Sequence, residues 1–265
     1  MSVHNLTPRA VKARTVQDFS PEEWAVRVDL AAAYRLAGRF GWTDLLGTHF
    51  SSRVPGTTDQ YLVNPYGLFF EEITASALVK IDIEGRLVED NGYGVNPAAD
   101  LIHGGIYATR PDVQSILHLH SVAGVAVAAQ EGGLLPISQN AIIIRERVRY
   151  YDYTGVKLDR EECGRLAAAL EDQDILFLRN HGTLAVGRTI GEAFSFIARV
   201  EKAAAIQIAA QSAQAPLKAI EQQYIDQAGA FGLKLYTPDS WSPGAAIEWQ
   251  AFRRKIDRED PGYAV

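Results

Sequence analysis

The sequence predicts an α/β domain in which helices flank one mixed, mainly antiparallel sheet. Three observations lead there. Short apolar runs of strand length, such as 115–119 and 174–178, interleave with amphipathic runs of helical length, without strict alternation. No internal repeat or low-complexity linker divides the 265 residues, a length suited to one large domain or two small ones. The hydrophobic content of 47% is enough for a full core.

The elements follow in order. Residues 1–19 read as an arm. Ser20-Pro21-Glu22-Glu23 is a capping box with proline at the first helical position, opening a helix that stops near Gly38–Gly41. Thr48–Val54 and Gln60–Asn64 read as strands separated by Pro55-Gly56. A short helix is expected at Thr74–Val79, then a hairpin with Lys80–Ile83 as its first strand and Glu84-Gly85 at its turn. Asn96-Pro97 opens a helix to about Thr109, placing Ala99 and His103 on one face. A strand at 115–121 precedes a small-residue helix, Val122–Gln130. A further strand is expected at Ala141–Arg145, before the tyrosine-rich segment 150–153. Asp159 and Glu162 form a second capping box, opening a helix to Leu170. Strands at 174–181 and Thr183–Val186 lead to a helix that Thr189 caps and that reaches about Gln211. Two helices fill residues 216–265, an extension packed on the main body (20–215) or on a neighbouring subunit.

Composition excludes several classes. Net charge is −6 with no basic run interleaved with aromatics, so nucleic acid is not an expected partner. No apolar stretch approaches bilayer-spanning length, and Met1–Phe19 has no secretory apolar region. The single Cys163 has no intramolecular disulfide partner and reads as a small buried side chain. A cytoplasmic protein is expected.

Chemistry concentrates in the histidines. Side chains alternate along a strand, so His118 and His120 share one face. His181 ends a second apolar strand, beside Gly182. Three neutral imidazoles with an open position form the ligand set of a catalytic zinc site, which other divalent metals also accept. The plain alternative is that these are ordinary core or surface histidines.

Several segments together resemble the class II aldolase and adducin family. They are Gly41-Trp42-Thr43-Asp44 leading to His49-Phe50-Ser51-Ser52-Arg53, then Asn64-Pro65-Tyr66-Gly67 and Glu72-Ile73-Thr74-Ala75-Ser76. Ile106 to Val113, His118-Leu119-His120 and Arg179-Asn180-His181-Gly182 continue the series, and the similarity spans roughly residues 25–215. The resemblance implies a three-layer α/β/α sandwich and a homotetramer with active sites between subunits. It also implies one divalent ion per subunit on His118, His120 and His181. Zinc is favoured, with manganese or iron as the alternatives. In the family's aldolases that ion stabilises an enediolate as a Lewis acid.

The departures from the family pattern redirect the chemistry. The sugar-phosphate aldolases carry Pro-Ser-Ser-Glu where this chain has Asn96-Pro97-Ala98-Ala99, so the family's glutamate base is Ala99 here. Asp100 is one residue along, turned about a hundred degrees away on the helix. Serines that would hold phosphate are Pro97 and Ala98, and two further phosphate-pocket positions are Tyr66 and His49. Retro-aldol cleavage needs a base, whereas decarboxylation needs an electron sink and a proton donor. The expected function is a divalent-metal-dependent lyase that cleaves a C–C bond of a small non-phosphorylated carboxylate, aromatic ones included, or hydroxy-keto acid, with decarboxylation favoured over retro-aldol cleavage. His103, Asp100 and Tyr153 are the candidate catalytic residues, and Tyr150 and Tyr151 are further proton-donor candidates. His49, Ser51, Tyr66, Gly67 and Arg53 are the candidate substrate contacts. Two other readings stay open at this point: a non-heme Fe(II) oxygenase acting on an aromatic acid, and a non-catalytic adducin-like module.

Overall fold

The computed structural model describes residues 14–155 and 159–265. Seven strands form one sheet in the order β3-β2-β1-β4-β7-β6-β5. They are β1 (His49–Arg53), β2 (Gln60–Val63), β3 (Val79–Asp82), β4 (Ser115–Leu119), β5 (Val148–Tyr151), β6 (Ile175–Leu178) and β7 (Gly182–Gly187). Only β5 and β6 pair parallel; every other neighbour is antiparallel. The expected mixed, mainly antiparallel sheet is therefore present, with helices on both of its faces.

Strand alternation divides the core between the two faces. Phe50, Leu62, Leu117, Leu119, Phe177 and Ala185 point to one side. There they meet α1 (Pro21–Arg39) and the long α6 (Ile190–Ser212). Tyr61, Val63, Ile116, Leu176, Leu184 and Val186 point to the other. That side is covered by α2 (Pro97–Thr109) and α5 (Arg160–Leu170). The predicted caps are formed: Ser20, Asn96, Asp159 and Thr189 each accept a backbone N–H of the first helical turn.

Two elements differ from expectation. Residues 141–145, a β-branched run expected as a strand, lie mostly in helix α4 (Gln139–Ile144). Ser138 caps it, and Ala141 to Ile144 are buried all round, so no apolar/polar period distinguishes helix from strand. Residues 74–78 hold a turn rather than a helix, and Val79 already begins β3. Tertiary bonds take their backbone groups: the Arg27 guanidinium donates to the carbonyls of Ala75 and Leu78 at 3.3 and 2.9 Å. The amides of Ala75 and Ser76 donate to the carbonyls of Tyr263 and Val265. Of the expected arm, residues 1–13 lie outside the described residues, and Val16–Asp18 form one 3-10 turn.

Those last bonds tie the C-terminus to the body. After α3 (Val122–Ala128) and α7 (Gln222–Gly232), helix α8 (Ala246–Glu259) packs on α1 and α6. The chain then returns so that Tyr263 is fully buried, accepting from Arg253 Nε at 3.0 Å and donating to Asp257. Replacing Tyr263 by alanine empties a large aromatic site and is expected to cost about 3–5 kcal/mol. Tyr263→Phe, which keeps the ring, should cost about 1 kcal/mol. Urea unfolding checks both; a Tyr263→Ala protein as stable as the parent would mean that the C-terminal segment carries no part of the core.

Candidate metal centre

The centre lies at one end of the two central strands. His118 is the last residue but one of β4, and His120 follows the strand's end. His181 sits in the turn from β6 to β7, where Asn180 adopts a left-handed φ of 57°. This is a conformation asparagine tolerates better than most residues. Gly182 then passes beside the pair. A Cβ there would lie 2.3 Å from the Leu119 carbonyl oxygen and 2.9 Å from the His120 ring, so only glycine fits without displacing the site. The result brings one nitrogen from each of His118, His120 and His181 within 4.8 Å of the others.

Their hydrogen bonds determine which nitrogens are available. His118 Nδ1 donates to the Thr183 carbonyl at 3.0 Å. His120 Nδ1 donates to the Asp44 carboxylate at 3.0 Å. With Nδ1 engaged on each ring, Nε2 is the nitrogen left to point forward, and the two Nε2 atoms face each other at 2.9 Å. Two lone pairs so close repel unless a cation lies near both, and a carbonyl and a carboxylate behind the rings are the usual outer partners of metal-binding histidines. Burial holds His118 well below the ordinary imidazole range, and it lowers His181 to about 4, with the neighbouring imidazoles adding to both shifts. Unprotonated rings are what a metal requires. The donor set thus fits a divalent ion such as zinc.

A second polar chain adjoins the first. His49 pairs with His118 across β1 and β4, and the two rings lie 5.1 Å apart. His49 Nδ1 is 2.9 Å from His103 Nε2, and His103 Nδ1 is 2.5 Å from Ser51 Oγ. Ser51 Oγ is 2.9 Å from the Tyr107 hydroxyl, which donates to the Gln114 carbonyl. All four side chains are buried, and burial lowers His103 to about 3 and puts His49 well below its usual range. Both imidazoles are neutral at pH 7, and the carbonyl at the far end fixes the direction: His49 Nδ1 donates to His103 Nε2, His103 Nδ1 to Ser51 and Ser51 to Tyr107.

The remaining candidates fall elsewhere. Arg53 is committed to the fold: it donates to the carbonyls of Val113, Thr58, Tyr107 and Arg110 and stacks on the Tyr107 ring. Asp100 lies on the far side of α2, its carboxylate against Gly85 in the β3 hairpin turn. Ala99 is fully buried among Tyr61, Val63 and Ile102. Tyr66 and Gly67 sit in the turn after β2, where the Tyr66 amide donates to Gly94. Tyr153 is half exposed and, with Tyr151, Ile102 and Cys163, lines a cleft that His181 also lines. Tyr151 donates to Glu162, and the Tyr150 hydroxyl accepts from the Leu134 amide. Reading the sequence passed over Asp44, Thr183 and Tyr107. A carboxylate shortly before β1 was visible in Gly-Trp-Thr-Asp, but nothing local ties it to a histidine 76 residues away.

The family model described as "Class II Aldolase and Adducin N-terminal domain" matches residues 28–208. An aldolase II superfamily protein from Pseudomonas syringae superposes with a TM-score of 0.89 at 45% identity, covering 94% of this chain and 99% of that one. The L-fuculose 1-phosphate aldolase of Glaciozyma antarctica superposes with a TM-score of 0.80 at 25% identity, over 98% and 97% of the two chains. The alpha-adducin of Rattus norvegicus is 42% identical over 189 residues, which are 70% of this chain and 26% of the adducin.

The buried imidazoles make stability depend on pH. A histidine whose pKa falls from 6.5 to about 3 on folding is protonated first in the unfolded chain. Its contribution is complete above pH 6.5 and is lost as pH falls towards 3. Between pH 6.5 and 5, metal-free protein should lose roughly 2 kcal/mol through His103 alone. Urea titrations of the wild type and His103→Gln should differ in slope by that amount; parallel curves would contradict a neutral, buried His103.

Proposed function

This chain belongs to the class II aldolase and adducin family, and we propose that it is a divalent-metal-dependent lyase of small non-phosphorylated carboxylates, decarboxylating in preference to retro-aldol cleavage. The observation that carries this reading is Ala99. The buried face of α2 leads through His103 and His49 to the histidine triad, yet it has a methyl group where the family's sugar-phosphate aldolases have their base. Asp100 faces the opposite way, against the β3 hairpin. Loss of CO₂ needs no base, because the breaking C–C bond itself leaves its electron pair on the substrate.

His118, His120 and His181 would hold the ion, zinc for preference, with manganese or iron as the alternatives. Bound there, it supplies a Lewis acid that draws charge from a substrate oxygen. Asp44 and Thr183 fix the ring orientations from behind. His49 is the neutral imidazole beside His118, and its Nε2 would offer a hydrogen-bond acceptor to the substrate. His103, Ser51 and Tyr107 act through it by keeping its hydrogen on Nδ1. Tyr153, in the cleft that His181 also lines, is the proton-donor candidate. The apolar wall of that cleft, with Ile102, Leu166 and Leu178, favours an aromatic or branched acid. Leu45 beside Asp44 and Val122 just after His120 are 77% and 89% exposed, which suits a homotetramer whose neighbouring subunits cover the site. We place the protein in the cytoplasm. Among the described residues no helix is long and apolar enough to cross a membrane.

The triad's converging lone pairs favour an enzyme over a non-catalytic module. The test uses a panel of 3-keto carboxylates, whose loss of CO₂ leaves the electron pair as an enolate on the keto oxygen, labelled at the carboxyl carbon, with labelled CO₂ measured under argon and under oxygen. Release under argon that a chelator or His118→Ala abolishes would support the lyase. Release only under oxygen would transfer the site to oxidative chemistry. Turnover of sugar phosphates, with none of the carboxylates, would overturn the reading.

A further inference from the structure

Behind the triad, on the sheet face opposite His118, helix α6 carries a charged-type residue into the core. Glu201 is 4% exposed, and its Oε1 has no hydrogen-bond partner among the described residues. Burial pushes its carboxyl up to about 7, and Ser121, the one side chain reaching it, only moderates that shift. Gly124 marks the meeting point. A Cβ there would lie 2.8 Å from Ser121 Oγ, 3.1 Å from Thr183 Cγ2 and 3.2 Å from Glu201 Oε1. The Thr183 hydroxyl is likewise buried without a partner.

The two side chains that crowd the same point as this carboxyl belong to ligand-bearing segments. Ser121 follows His120 directly and turns the chain into α3 by accepting the Gly124 amide at 3.0 Å. Thr183 is two residues after His181, and its carbonyl accepts from His118 Nδ1. One carboxyl group on α6 therefore abuts the segments that set the positions of all three imidazoles. A carboxyl in an apolar interior is costly, and a leucine or methionine would fill the same space without that cost. Packing alone does not call for a carboxyl here.

We propose that Glu201 is a positioning residue of the histidine triad, bracing Ser121 and Thr183 from behind so that the three ring nitrogens converge. The inference rests on reading the triad as a metal site. Glu201 touches neither metal nor substrate; it acts by limiting how far the loops after β4 and β6 can drift apart. Outer-shell groups of this kind typically alter metal affinity ten- to a hundredfold.

The experiment measures Co²⁺ dissociation constants by chelator competition at pH 7.5, together with the visible Co²⁺ spectrum, on full-length protein. Glu201→Leu keeps the volume and removes the polar group. It should weaken binding about tenfold or more and change the spectrum. Glu201→Gln, which keeps a hydrogen-bonding head of the same shape, should return affinity to within about threefold of wild type, a rescue that packing alone would not require. Should Glu201→Leu fail to fold, Ser121→Ala probes the same brace, with several-fold weaker binding expected. Wild-type binding that Glu201→Leu, or its substitute, leaves unaltered in affinity and spectrum would overturn the inference alone. A wild-type protein that binds no Co²⁺ would overturn the metal-site reading, and this inference with it.

Discussion

Two imidazole nitrogens held 2.9 Å apart by groups that force their lone pairs towards each other set the constraint on which the site depends. Each ring is locked from behind, His118 by a backbone carbonyl and His120 by a carboxylate, so neither can relieve the repulsion by changing tautomer. Burial blocks the other escape for His118, because a charged imidazolium is poorly solvated there. Such an arrangement is favourable around a divalent ion. Much of the surrounding structure serves to keep it: the close approach at Gly182, the left-handed Asn180 and the pairing of β4 with β1 and β7.

The two layers contribute differently. The face under α2 brings a line of neutral hydrogen-bonding groups, from Gln114 through Tyr107, Ser51 and His103 to His49, up to the triad. Its four side chains are buried, and the line is satisfied within itself, which is the condition under which a buried polar network adds rigidity. The face under α6 brings the chain segments that follow the ligands against Glu201. The geometry of the triad is thus tied to the core on both sides of the sheet, while Tyr153, Leu45 and Val122 stay exposed in the single chain.

Much of this was legible in the sequence, for physical reasons that can be named. Period-two alternation placed His118 and His120 together, and helix caps at Ser20, Asn96, Asp159 and Thr189 marked boundaries that the backbone respects. Where local signals were ambiguous or overridden, the reading failed. The run Ala141–Ile144 is apolar on every side and carries no period to read. Residues 74–78 lost their helix to hydrogen bonds from Arg27 and the distant C-terminus. Arg53 looked like a substrate cation because its charge was visible and its four carbonyl partners were not. Asp44, Thr183 and Glu201 become informative only when the sheet brings them behind the histidines.

The most direct test is anomalous diffraction from crystals of protein purified without an affinity tag, recorded on both sides of the zinc, manganese and iron absorption edges. The account predicts one strong peak per chain, about 2 Å from Nε2 of His118 and of His120 and within bonding reach of His181. The element is read from the edge at which the peak appears. Density maps from metal-saturated crystals with no peak between these rings, or with the ion bound elsewhere, would contradict it.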